Sequence, residues 1–269
     1  MFSEKKRNFA RNFAHIMKNK AFGWVLLTAV MFSGCCQETT NPRKEQLLRH
    51  WQFQKEISMN EASGESWQDV TIPHDWAISG EFDRNNDLQE VVIVQNGETT
   101  PTWKTGRSGG LPWMGRGHYH TRIAVDTTRF HTLVFDGAMS HADVYINGEE
   151  VCYWPYGYNT FDCYLLPSLL TSDSVDIDVF LENKPQQSRW YPGAGLYRNV
   201  RLITTDKVHI PTFGVLVLTP QVSEQEATVE MRIDLQNGVD ETTAEAEGVT
   251  LQTDIIYQNK VVADRKSVV

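Results

Sequence analysis

Ser174-Val-Asp-Ile-Asp-Val-Phe-Leu-Glu182 alternates apolar and polar residues with a period of two. Val175, Ile177, Val179 and Leu181 share one face, and Asp176 and Asp178 the other, as in a strand with one buried and one solvated side. Tyr119 to Val125, Thr132-Leu-Val-Phe-Asp136 and Ala142-Asp-Val-Tyr-Ile146 also read as strands. Asn147-Gly148 then supplies a two-residue hairpin turn into Glu149-Glu-Val151. Helical periodicity is scarce, and the one helix predicted is short, over Glu45 to Trp51. The pattern implies an all-β protein built as an antiparallel two-sheet sandwich.

Beyond Ile210-Pro211 come further strand-like runs at 215–218, 229–235, 250–257 and 260–263. Asn237-Gly238 and an acidic, Thr/Ala-rich stretch ending at Gly248 supply the turns. Lys and Arg total 25 against 34 Asp and Glu, for a net charge of −9. That balance argues against nucleic acid or anionic lipid as a partner.

The N-terminal residues have the composition of an export signal. Lys18 and Lys20 precede an apolar run from Ala21 to Phe32, then Ser33, Gly34 and Cys35. The run falls short of the about 20 apolar residues a spanning helix needs, and its small residues fit a cleavage site. Phe32-Ser-Gly-Cys35 resembles a bacterial lipoprotein box, in which the cysteine is acylated; the alternative is an ordinary signal peptide with an incidental cysteine. Met17 would serve as an alternative start. The expectation is an exported, lipid-anchored protein of the periplasm or outer membrane: residues 1–35 as signal, 36–44 as tether, 45–208 and 209–269 as two β domains.

One short segment concentrates binding chemistry. Ser188-Arg-Trp-Tyr-Pro-Gly-Ala-Gly-Leu-Tyr-Arg-Asn-Val-Arg201 combines aromatic faces, a rigid guanidinium and a turn forced by Pro192, Gly193 and Gly195. Aromatic faces beside fixed donors suit a ligand covered in hydroxyls and C–H patches, such as a sugar. The same residues would also serve as a packed corner of a sandwich.

This segment resembles the end of the N-terminal domain of family 2 glycoside hydrolases, the β-galactosidase and β-glucuronidase group. Three earlier segments are similar to that family in the expected order: Ile72-Pro-His-Asp-Trp76, the glycine-rich Gly109 to Arg122, and Phe135 to Gly148 with its Asn-Gly turn. Within the family it most resembles β-galactosidase-like enzymes of gut Bacteroidetes. The resemblance implies a jelly-roll, galactose-binding-domain-like sandwich followed by part of an immunoglobulin-like sandwich. It also implies a retaining glycosidase, whose two carboxyl groups stand about 5–5.5 Å apart. In the family both are glutamates of a (β/α)₈ barrel, a unit of about 250 residues. No acid of this chain is a candidate for either, so the barrel would belong to a longer chain or to a separate partner chain.

What the resemblance assigns here is recognition. Ser188, Arg189 and Trp190 are the candidate sugar-binding residues, with Asp83 and Asn85 as further candidates in the loop after the Pro-His-Asp-Trp element. The partner implied is a β-galactoside-like carbohydrate, without cofactor or metal. A lipoprotein carbohydrate-binding module without hydrolase activity is the alternative. Some β-galactosidases carry an acid near position 189, so the arginine leaves the identity of the sugar open.

Other polar residues read as structural. His74-Asp75 is expected to shape a turn, and Glu81, Asp83, Asp87 and Glu90 to form a solvated loop. His118 and His120 lie on one strand face, where they are either half a metal site or surface histidines. Cys152 and Cys163 flank Trp154-Pro-Tyr-Gly-Tyr-Asn159 and are either a loop staple or two buried thiols.

Overall fold

The structure, a computed structural model, describes residues 43–56, 66–86, 88–105, 111–184, 188, 190–238 and 249–268. The described residues all belong to one compact unit, 41–269. The export signal, Cys35 and nearly all of the tether lie outside the described residues, as do Asp87 and Arg189.

Among the described residues, the regular structure is almost entirely β. Its first strands are β1 (Arg43–Leu47), β2 (His50–Glu56), β3 (Gln68–Thr71), β4 (Leu88–Val91), β5 (Thr102–Thr105) and β6 (Gly115–Ala124). There follow β7 (Phe130–Phe135), β8 (Ala142–Ile146), β9 (Glu149–Trp154), β10 (Phe161–Leu165), β11 (Ser174–Asn183) and β12 (Val200–Thr205). A four-stranded sheet runs β1-β12-β7-β10, and a six-stranded sheet runs β3-β2-β6-β11-β8-β9. All the pairings are antiparallel. The small β4–β5 hairpin stands apart.

The alternation read in the sequence is the alternation of burial. Val175, Ile177, Val179 and Leu181 of β11 are fully buried, while Asp176 and Asp178 face outward. β11 lies between β6 and β8, and its apolar row joins Leu133, Phe135 and Leu202 of the other sheet in one continuous core. Within that core Phe53 stacks on Trp76 at 5.6 Å, and Phe135 on Phe161 at 4.7 Å. The turn at Asn147 and Gly148 has φ of +50° and +84°, the left-handed pair that a tight two-residue hairpin demands.

The helix expected over Glu45 to Trp51 does not form. β1 and β2 occupy that stretch, broken by a two-residue step. β1 pairs with β12 from Arg43↔Thr205 to Leu47↔Arg201, and Leu48 donates its N–H to the Val200 carbonyl. Tertiary pairing supplies the backbone partners a helix would have supplied, and it places Leu48, Trp51 and Phe53 in the core.

Beyond the sandwich, β13 (Val208–His209) pairs with β16 (Gln236–Asn237), β14 (Val215–Val222) with β15 (Ala227–Ile233), and β17 (Thr250–Tyr257) with β18 (Lys260–Val268). Val229, Met231, Ile233, Leu251 and Ile255 line a gap of about 450 Å³ in this part of the chain. Among the described residues, this segment contributes none to the buried hydrophobic core. Phe130 against His209 at 4.8 Å, and Tyr164 Oη donating to Gln236 Oε1 at 3.4 Å, tie it to the sandwich.

Candidate functional site

The loops at one end of the sandwich enclose a cleft of about 210 Å³. Four segments build it: Met139 to His141 between β7 and β8, Pro155 to Tyr158 between β9 and β10, Asn183 and Lys184 at the end of β11, and Ser188, Trp190 and Pro192 ahead of β12. Ser188 and Trp190, two of the sequence candidates, therefore share one wall.

The backbone there is held from several sides. Ser188 Oγ donates to the Trp190 carbonyl at 2.9 Å and accepts from the Trp190 N–H at 3.2 Å, closing a small turn. The Trp190 indole N–H donates to Tyr158 Oη at 3.3 Å, and Tyr156 and Tyr158 meet edge to face at 5.5 Å. Tyr197 Oη donates to the Gly157 carbonyl at 2.8 Å, fixing the opposite wall. Asn183 is buried and donates from Nδ2 to the Gly193 carbonyl at 2.8 Å, which anchors the floor. Trp190 remains 59% exposed, Tyr156 53% and Tyr158 39%. Large apolar rings held by hydrogen bonds yet left open to solvent are a prepared surface for a ligand with apolar faces and hydroxyl edges.

The Ile72–Trp76 element buttresses this wall from behind. The Asp75 carboxylate accepts from the N–H groups of Ala77 and Ile78, from the Tyr191 hydroxyl and from the Ala194 N–H. His74 donates its backbone N–H to the Leu196 carbonyl at 2.8 Å, and its Nδ1 meets Tyr119 Oη at 2.8 Å. Burial pushes the His74 imidazole below its ordinary pKa, against the pull of the Asp75 charge. His74 and Asp75 thus shape a turn, as the sequence suggested.

Asp83 and Asn85 are not among the residues lining the cleft. Asp83 Oδ1 accepts from the Asn85 N–H at 2.8 Å in an exposed turn, which the Leu111 carbonyl holds by accepting from the Asp83 N–H and from Asn86 Nδ2. Tyr156, Tyr158, His141, Asn183 and Lys184 are cleft residues that the sequence reading did not nominate. The aromatic-Pro-Gly composition of 154–159 repeats that of 190–193 and was the available signal.

The outer face of the six-stranded sheet carries His118 and His120. Asp178 Oδ1 lies between them, 2.8 Å from His118 Nε2 and 2.9 Å from His120 Nδ1. Burial would raise the Asp178 pKa, but hydrogen bonds from the two imidazoles outweigh it and hold the carboxyl below its ordinary value. Among the described residues, no group of three His, Cys, Asp or Glu side chains is arranged to hold a metal ion.

The β-galactosidase BoGH2A of Bacteroides ovatus is 33% identical over 178 residues, covering 65% of this chain and 19% of that enzyme. A β-glucuronidase of Formosa agariphila is 28% identical over 235 residues, covering 77% of this chain and 22% of that one. A glycosyl hydrolase family 2 member from Bacteroides cellulosilyticus shares the fold with a TM-score of 0.63 at 24% identity, covering 84% of this chain and 28% of its own. No family profile matches the chain. The matches point to glycoside hydrolase family 2, and the chain spans about a fifth of the length of these curated relatives.

Proposed function

We propose that this chain is the sugar-recognising N-terminal part of an exported family 2 glycoside hydrolase of the β-galactosidase type. Its sandwich is read as the family's jelly roll, and the cleft at Trp190 as the place where a terminal sugar docks. Trp190 and Tyr156 would cover the sugar's C–H face, while Ser188, Tyr158 and Lys184 would meet its hydroxyls; Arg189, which the family resemblance also assigns to sugar binding, lies outside the described residues. Asp83 and Asn85 would act as outlying contacts. Recognition, not bond cleavage, is assigned to these residues. Export would follow from the Phe32–Cys35 box, with Cys35 carrying the lipid. The observation that carries this reading is the hydrogen-bonded exposure of Trp190 beside Tyr158 in a clamped loop.

The test is titration of the purified chain with galactose, glucuronate and their β-glycosides, read by tryptophan fluorescence, alongside hydrolysis of the chromogenic β-glycosides. Saturable binding that Trp190→Ala weakens tenfold or more, without hydrolysis by these 269 residues alone, supports the reading. Absence of binding to every sugar tried defeats it, and turnover by the chain alone defeats the assignment of recognition without cleavage.

A further inference from the structure

The two sheets each end at one side of the sandwich in a strand that carries a cysteine. β9 is the last strand of the six-stranded sheet and β10 the last of the four-stranded sheet. Cys152 pairs across the ladder with Val144, and Cys163 with Leu133, both fully buried, so each thiol points inward between the sheets. The next rung toward the connecting loop is Trp154 stacked on Phe161 at 5.6 Å, which brings the edge strands together. Cα atoms of β9 and β10 approach within 8 Å of one another, both thiols are free, and Cys152 Sγ donates to the carbonyl of Asp162, the residue before Cys163, at 4.0 Å.

We propose that Cys152 and Cys163 form a disulfide that fastens the edge strand of one sheet to the edge strand of the other. The environments of the two thiols set the order of events. Cys152 is half-buried, and its hydrogen bond with Cys163 lowers its pKa despite partial burial. Burial pushes the Cys163 thiol far up and keeps it protonated. The Cys152 thiolate therefore attacks first, on a sulfur of a small disulfide oxidant such as oxidised glutathione. A mixed disulfide forms at Cys152 and one glutathione thiolate leaves. Cys163 then passes its proton to the glutathione thiolate released in the first step and attacks Cys152 Sγ, forming the S–S bond and expelling the second glutathione as its thiolate, which takes a proton from water. Two protein thiols are oxidised by two electrons and the oxidant is reduced to two thiols, so the exchange balances.

The bond would close a loop of about a dozen residues around Trp154 to Thr160, which includes Tyr156 and Tyr158 of the cleft wall. Oxidation would thus brace one wall of the cleft as well as the open edge of the sandwich. The pairing stands on strand register and burial, and does not depend on what the cleft binds.

The experiment uses the full chain with Cys35→Ser and Cys36→Ser, so that only these two thiols remain. The folded protein is incubated with oxidised glutathione and mapped by alkylation and peptide mass under non-reducing conditions. The expected result is a linked pair of peptides containing Cys152 and Cys163, and an unfolding midpoint raised by roughly 5–10 °C that reductant reverses. Cys163→Ser should instead trap Cys152 as the glutathione adduct, and Cys152→Ser should leave the Cys163 thiol unreacted. Should Cys163→Ser fail to fold, the parent chain and Cys152→Ser together still decide the matter. Two freely alkylated thiols after oxidation of the folded chain, or an adduct on Cys152 that never resolves in it, would overturn the proposal.

Discussion

The Tyr191 hydroxyl lies 2.5 Å from both oxygens of the Asp75 carboxylate, joining two segments that are 116 residues apart in sequence. The same carboxylate accepts from Ala77, Ile78 and Ala194, so its acceptor capacity is spent on the turn at 75–78 and the loop at 191–194. Asp75→Asn keeps the size but turns an amide NH₂ toward donors. We expect it to lower stability by about 2–4 kcal/mol in urea titration, because buried donors lose a charged acceptor. Tyr191→Phe removes a single donor and should cost about 1–2 kcal/mol. Equal, negligible effects of both would show that the contact does not hold the loop.

Trp190 separates binding from stability. Its ring is largely in solvent, so Trp190→Ala should move the unfolding free energy by no more than about 0.5 kcal/mol. The same change removes the largest flat surface of the cleft and should weaken sugar binding tenfold or more, a loss of about 1.4 kcal/mol. A fluorescence or calorimetric titration beside a denaturation curve distinguishes the two quantities on one protein sample. Unchanged affinity would move the sugar site elsewhere.

The sandwich was legible where alternation and turn chemistry agreed. The strands around Asn147-Gly148 and the strand at Ser174 were read in place, because one-sided burial leaves a period-two signature that neighbours cannot hide. Glu45 to Trp51 misled because Leu47, Leu48 and Trp51 also fit a helical stripe, and the competing partner, β12, lies more than 150 residues away. The β4–β5 hairpin was missed since four-residue strands carry too few alternations to register. The cleft was half legible. Ser188 and Trp190 sit in a composition-rich segment, whereas His141 and Asn183 have no local signal and join the site only through sheet order.

Acid should weaken the fold through two histidines, His131 buried and His74 half-buried. His131 is 1% exposed, and its Nε2 lies 2.8 Å from the Asp126 carbonyl, an acceptor that requires a proton on that nitrogen. Nδ1 is then left to accept from the Thr204 hydroxyl at 3.0 Å, which suits the neutral ring. Burial lowers the pKa of His131, outweighing the hydrogen bond to Asp126, and burial lowers that of His74 as well. The unfolded chain therefore binds these protons more readily than the folded one. The stability from neutral burial is complete above the unfolded value of about 6.5 and declines as pH falls below it toward the lowered folded values. Melting from pH 7.5 to 5.0 should show a falling midpoint, and His131→Gln should flatten part of that slope. A midpoint independent of pH across this range would contradict the assignment.

Gly148 and Gly195 share φ of +84° and make a controlled pair. A Cβ at Gly148 would meet nothing within 4 Å, so Gly148→Ala should cost only the left-handed backbone penalty of about 1–2 kcal/mol. At Gly195 the same atom would lie 2.3 Å from Tyr119 Oη and 2.7 Å from the His74 carbonyl. Tyr119 is fully buried and bonded to His74, and the Gly195 N–H itself donates to the Met139 carbonyl at 2.9 Å. Neither neighbour can withdraw without breaking the joint between the Pro-His-Asp-Trp turn and the cleft wall. Gly195→Ala should therefore lose about 3–5 kcal/mol, a size reserved for substitutions that force a packed core to move. It should also disturb sugar binding, which Gly148→Ala leaves intact. Chemical denaturation of the two variants side by side measures the difference; similar losses would mean that Gly195 serves only its turn and not the packing beneath the cleft.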